Sequence, residues 1–242
     1  MSDLFCNLGY KYRLDKPRQA IIVVFVMKPA TVSFPKRGRP RSFDAERALD
    51  RALQVFWRQG YEGSSMADLT KAMSINPPSL YATFGNKESL FEKVLDRYIE
   101  GPGGYVKQAM LAPTAAEFVK QLLSASADFF TDPSHPCGCL AINAGLAWNP
   151  QSKQVSKQLA RRHVTREKLF EHRLRQALKE GDLPEDSDPR DLARYLSVVF
   201  QGLAVQASAG ANRRDLQKVV DLVLSGWPPS SQRQAGFSLA PL

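Results

Sequence analysis

Residues 64–90, SSMADLTKAMSINPPSLYATFGNKESL, constrain the fold more than any other stretch of the chain. Ser65 and Asp68 have the spacing of a capping box, in which a hydroxyl and a carboxylate three residues apart satisfy each other's free backbone N–H groups. The helix they open carries Met66, Leu69 and Met73 on one side. Ser74-Ile75-Asn76 turns the chain, and Asn76 before Pro77 and Pro78 starts a second helix, because proline in a first turn lacks only an N–H that would be unpaired anyway. That helix ends at Gly85, a residue suited to a left-handed stop. Two helices joined by so short a turn predict a helix-turn-helix, whose second member can enter a DNA major groove.

The segment INPPSLYATFGNKESLF, preceded by the aromatic-rich FWRQGYEGSS, resembles the DNA-binding domain of the TetR/AcrR family of bacterial transcriptional regulators. The similarity runs from Asp44 to Tyr98, and a looser one, of architecture, reaches Trp227. It implies an all-α fold: a three-helix DNA-binding head followed by a larger helical domain for an effector and for dimerisation. It further implies a cytoplasmic homodimer and a palindromic double-stranded DNA operator. A small-molecule effector would respace the two reading heads, so repression is the expected mode. The implied DNA contacts are Ser65, Pro77, Pro78, Ser79, Tyr81, Ala82 and Thr83, with Lys87 on the backbone. The helix from Pro77 to Phe84 contains no Arg, Lys, Asn or Gln, so its base contacts rest on apolar and hydroxyl groups.

Charge adds a second DNA signal. Through Phe43 there are nine lysines and arginines against two acids, seven of the chain's nine net positive charges. A basic arm beside a helix-turn-helix predicts phosphate neutralisation and salt-dependent binding. Within it, Arg39-Pro40-Arg41 after Gly38 keeps the backbone extended, and the Arg-Gly-Arg-Pro run is similar to an AT-hook core. Arg39 and Arg41 are therefore expected in an A·T-rich minor groove, where the negative potential is enhanced. Residues 1–35 read as a basic, disordered extension. They are either native or a mis-assigned upstream segment with Met27 as the start, the second being preferred.

The longest wholly apolar run, Ala20 to Met27, is far too short to span a bilayer, so no membrane partner is expected. Three cysteines do not form a disulfide framework. His135, Cys137 and Cys139 lie within five residues, yet no further ligand pair completes a metal site, so neither metal nor cofactor is expected. A structural loop is preferred there over a thiol sensor, for which exposure and a lowered thiol pKa are required. Without a nucleophile elbow or phosphate loop, an enzyme is not expected. An architectural DNA binder working through the basic arm alone is the remaining alternative.

The organisation expected is a DNA-binding domain over 36–100, a joint at Gly101-Pro102-Gly103-Gly104, an effector and dimerisation domain over 101–228, and a disordered tail from 229. Helix one, Asp44 to Gln59, carries Leu49, Ala52, Leu53 and Phe56 inward and stops at Gly60. Tyr61 is expected in the small core rather than on a phosphate. Two long helices are expected before Gly181, with Arg161-Arg162-His163 on a solvated face. Phe118, Leu122, Phe129, Cys139, Trp148 and Tyr195 are the candidate pocket residues. The last two helices are rich in apolar residues, and Leu196, Phe200, Leu203, Val220 and Val223 are assigned to a two-fold interface, as the resemblance implies.

Overall fold

The computed structural model describes residues 43–146 and 152–228, and every regular element among them is helical. The basic arm with Arg39 and Arg41, the position of Trp148, and the tail from 229 lie outside the described residues. The described residues all fall within one compact unit.

Helix α1 spans Ala45–Gly63. Asp44 caps it by accepting from the Glu46 and Arg47 backbone N–H groups, and the helix breaks at Gly60, whose φ of 70° suits glycine. α2 (Met66–Met73) begins with the expected capping box: Ser65 Oγ accepts from Asp68 N at 3.0 Å, and Asp68 Oδ2 accepts from Ser65 N at 3.0 Å. The turn that follows places Ser74 in the left-handed region, and Arg51 of α1 donates to Ser74 Oγ at 2.7 Å. α3 (Pro77–Phe84) and α4 (Lys87–Glu100) are capped by Asn76 and Asn86, each accepting from an N–H three residues on at 2.8 Å. Ala52, Leu53, Phe56, Leu69, Met73, Leu80, Phe84, Leu90 and Phe91 close the core between these four helices. Arg97 of α4 clamps α1 through Asp50 and Glu46.

A 3₁₀ turn, Pro102–Gly104, breaks the chain where the glycines and proline predicted a joint. Then follow α5 (Tyr105–Ala109), α6 (Ala115–Phe130), α7 (Leu140–Leu146), α8 (Lys153–Lys179), α9 (Pro189–Ser208) and α10 (Arg213–Ser225). One short and one long helix therefore occupy the place of the two long ones expected. The joint does not part the core, because Trp57 of α1 meets Tyr98 edge-on at 5.0 Å and stacks on His135 of the α6–α7 loop at 4.6 Å. Phe118, Phe130, Phe170 and Phe200 tie α6, α8 and α9 together by edge-to-face contacts.

Two expectations are corrected here. Leu196, Phe200, Leu203, Val220 and Val223 are all buried inside the protomer, so they are not a surface that could meet a copy of itself. Apolar spacing alone does not reveal which stripe of a helix its own protomer covers. The outward apolar side chains of α9 and α10 are Tyr195, Val198, Val219 and Leu222. Nor is Arg161-Arg162-His163 a uniformly solvated run. Arg161 is exposed, Arg162 pairs with Asp96 at 2.7 Å, and His163 turns inward to Arg166.

Candidate nucleic-acid interface and the cavity behind it

α3 is short, and what orients it is its anchoring. Leu80 and Phe84 are its buried residues and face the core formed with α1, α2 and α4. Pro77, Pro78, Tyr81 and Ala82 face solvent, Tyr81 at 53% exposure, while Ser79 and Thr83 are half-buried at the flanks. The helix thus presents a ridge of ring, methyl and hydroxyl groups with no charge of its own. Such a ridge can touch thymine methyls and base edges in a major groove.

Ser65 and Lys87 stand at its borders in different states. The Ser65 hydroxyl is committed to Asp68, donating to Oδ2 at 2.6 Å while accepting from the backbone. Hydrogen bonds from Ser65, the hydroxyl's first and then the backbone's, hold the Asp68 carboxyl below its ordinary range. Lys87 opens α4 with its ammonium 4.3 Å above the Tyr61 ring. Burial lowers its pKa, partly opposed by Glu62. Tyr61 packs between Phe56 and Phe91, and burial, then Glu88 and Glu62, push its hydroxyl up to about 12. It is a core residue that carries Lys87 on its face, at the N-terminus of α4, where positive potential favours a phosphate.

Behind this head a cavity of about 370 Å³ opens between α4, α5, the start of α7, α8 and α9. Tyr98, Tyr105, Lys107, Cys139, Arg162, Thr165, Arg166 and Phe200 give it its polar and aromatic groups. Cys139 is buried and its Sγ accepts from the Tyr98 hydroxyl at 3.4 Å, whereas Cys137 is exposed. Gly138 between them is required. Its φ is 81°, and a Cβ there would lie 2.1 Å from Ser208 Oγ and 2.8 Å from the Ala204 carbonyl oxygen. The loop is thereby pressed onto α9, with Cys139 at the cavity and His135 on Trp57.

Of the candidate pocket residues, Cys139 is at this cavity. Phe118 and Leu122 are fully buried core. Phe129 packs on His135 at 4.4 Å and borders a separate, shallow depression with Asp128 and Arg213. Tyr195 is at the surface, stacked on Trp227. The sequence reading missed Tyr98, Tyr105 and Arg166. One signal was available for the arginine: Leu159, Arg166, Phe170 and Leu174 follow a helical repeat, so a cation occupies the inward stripe of α8.

Known proteins show the same organisation. A family pattern described as "Bacterial regulatory proteins, tetR family" matches residues 48–94, and one described as "Tetracyclin repressor-like, C-terminal domain" matches 115–223. The HTH-type transcriptional repressor ComR of Escherichia coli K12 is 36% identical over 194 residues, covering 79% of this chain and 92% of that protein. The uncharacterized HTH-type transcriptional regulator YezE of Bacillus subtilis 168 is 33% identical over 190 residues, 78% of this chain and 98% of its own length. Among solved structures, a cysteine mutant of the TetR family regulator CifR, complexed with 26-bp double-strand operator DNA, superposes with a TM-score of 0.75. It is 43% identical and covers 79% of this chain and all of that one.

Proposed function

The chain belongs to the TetR family of bacterial regulatory proteins, and we propose that it represses transcription from a palindromic operator until a small molecule enters the α4–α9 cavity. It is a sequence-specific DNA-binding transcriptional regulator. The observation that carries the repression mechanism is α3, with Leu80 and Phe84 locked inward and Tyr81 held out. Residues 36–100 supply the reading head and residues 101–228 the sensor. Arg39 and Arg41 add minor-groove contacts in front of the head.

A single head with no basic side chain in α3 needs a second copy for affinity. Tyr195, Val198 and Gly202 recur along one exposed side of α9, and Val219 and Leu222 along α10. This pair of faces is suited to a two-fold four-helix seam that sets the heads about 34–36 Å apart. The cavity touches α4, whose first residue is Lys87, so a ligand that displaces α4 alters the heads directly. Linkage requires that ligand to bind the released state better, by the free energy it removes from DNA binding.

The test begins with duplexes selected from a random library by the wild-type protein. Footprints on them should be symmetric, and binding should need the dimer. An asymmetric footprint held by one protomer would refute the two-headed reading. A second reading, that Cys139 itself reports electrophiles, is favoured by its place at the cavity beside Tyr98. If it is correct, Cys139→Ser stays on operator DNA when an alkylating agent releases the wild type.

A further inference from the structure

Three cations line the cavity: Arg162 pairs with Asp96, Lys107 stands exposed to solvent, and Arg166 is drawn inward with no carboxylate at ion-pair distance among the described residues. Its Nη2 meets His163 Nδ1 at 3.0 Å, its guanidinium carbon sits 4.7 Å over the Phe200 ring, and its Nε is buried without a hydrogen-bond partner. The ionisable groups of acid type around it are Cys139, Tyr105, Tyr98 and Glu167. Glu167, the carboxylate among them, is held at 2.8 Å by Arg194. Arg162, the neighbouring arginine at the cavity, already has Asp96. Burial first, and then the nearness of Cys139, keeps both tyrosine hydroxyls well above their ordinary range, so they are neutral donors rather than counter-ions. His163 accepts from a cation and is held below its ordinary pKa by burial and then by Arg166, so it too brings no negative charge. A guanidinium does not lose its proton in a protein. Holding such a group largely out of water without an anion is unfavourable, and beyond the face of Phe200 the apolar walls of Ile99, Val106 and Leu169 give it no relief.

We propose that the ligand of this cavity is a small organic carboxylate, with its apolar body against Phe200 and Leu169 and its head group on Arg166. This rests on the reading of the cavity as the effector site and assigns the effector its chemical class. The fork of N–H donors matches a carboxylate, and the free Nε supplies one of them. A neutral amide of the same shape can accept through its carbonyl oxygen alone, sets its NH2 donor against the guanidinium's, and leaves the charge unbalanced.

The experiment compares phenylacetate with phenylacetamide by calorimetric titration of the full chain, alone and on a selected operator duplex. Phenylacetate should bind once per protomer, and at least about tenfold more tightly than the amide. Arg166→Gln should erase that preference, with melting curves confirming that the variant is folded. Arg166→Lys, which keeps the charge but not the fork, should retain part of it. Equal binding of acid and amide, unchanged in Arg166→Gln, would overturn the assignment of class and leave the effector site standing. Acid binding through Arg166 with no loss of DNA affinity would support the assignment and overturn the effector reading. If neither compound binds and alkylation of Cys139 slows markedly in Arg166→Gln, the thiolate is the counter-ion and the carboxylate assignment fails.

Discussion

Replacing Tyr81 with Ala should separate reading from folding. Tyr81 is half-exposed on α3, and Ala is the better helix former, so stability should change by no more than about 0.5 kcal/mol. Leu80, its neighbour in sequence, is fully buried, and Leu80→Ala should cost about 2–5 kcal/mol. α3 has only Leu80 and Phe84 to hold it, so that loss falls on the recognition helix itself. On DNA the order reverses. Losing one base contact costs about 1–3 kcal/mol, and two heads on a palindrome double it, so Tyr81→Ala should weaken operator binding by about 2–6 kcal/mol. Scrambled duplex should be bound almost as before. Fluorescence anisotropy on both duplexes, with denaturant melts of the two variants, gives all four quantities. Equal losses on operator and scrambled DNA would make Tyr81 a phosphate contact. A melt shifted as far as that of Leu80→Ala would make it a core residue, and the assignment of the outward face of α3 would be wrong.

Arg39→Ala with Arg41→Ala should weaken binding to A·T-flanked sites and flatten the salt dependence by up to about two phosphate equivalents, read from Kd against salt. Val198→Glu or Leu222→Glu, at exposed positions of α9 and α10, should yield a folded monomer by light scattering; Phe200→Glu, by contrast, should destabilise the protomer because that ring is buried. His163 has a folded-state pKa below its ordinary 6.5, so the unfolded chain takes up its proton first as the pH drops. The stability contributed by keeping it neutral is full above about pH 6.5 and declines below. His163→Gln should therefore lose less thermal stability than the wild type between pH 7 and 5.5.

The reading head was legible in the sequence because its signals are local. The Ser65–Asp68 capping box, the Asn76 cap and the Gly60 and Gly85 stops are each set by residues a few positions apart, and all occur where the spacing placed them. Leu80 and Phe84, four residues apart, share the inward face of α3, and the helical period turns Tyr81 away from it. The sensor half was not legible to the same depth, because its meaning depends on which neighbour covers each helical face. Leu196 and Phe200 occupy the same apolar stripe as any interface residue would, and only the packing of α6 and α8 against α9 buries them. Arg166 looks in sequence like part of a charged, solvated helix. The fold turns it toward Tyr98 and Cys139, sixty-eight and twenty-seven positions away, while Arg194 holds Glu167, the nearby carboxylate. Local hydrogen-bonding chemistry determined the head, whereas long-range packing alone decided where the cavity lies and which charge inside it goes unanswered.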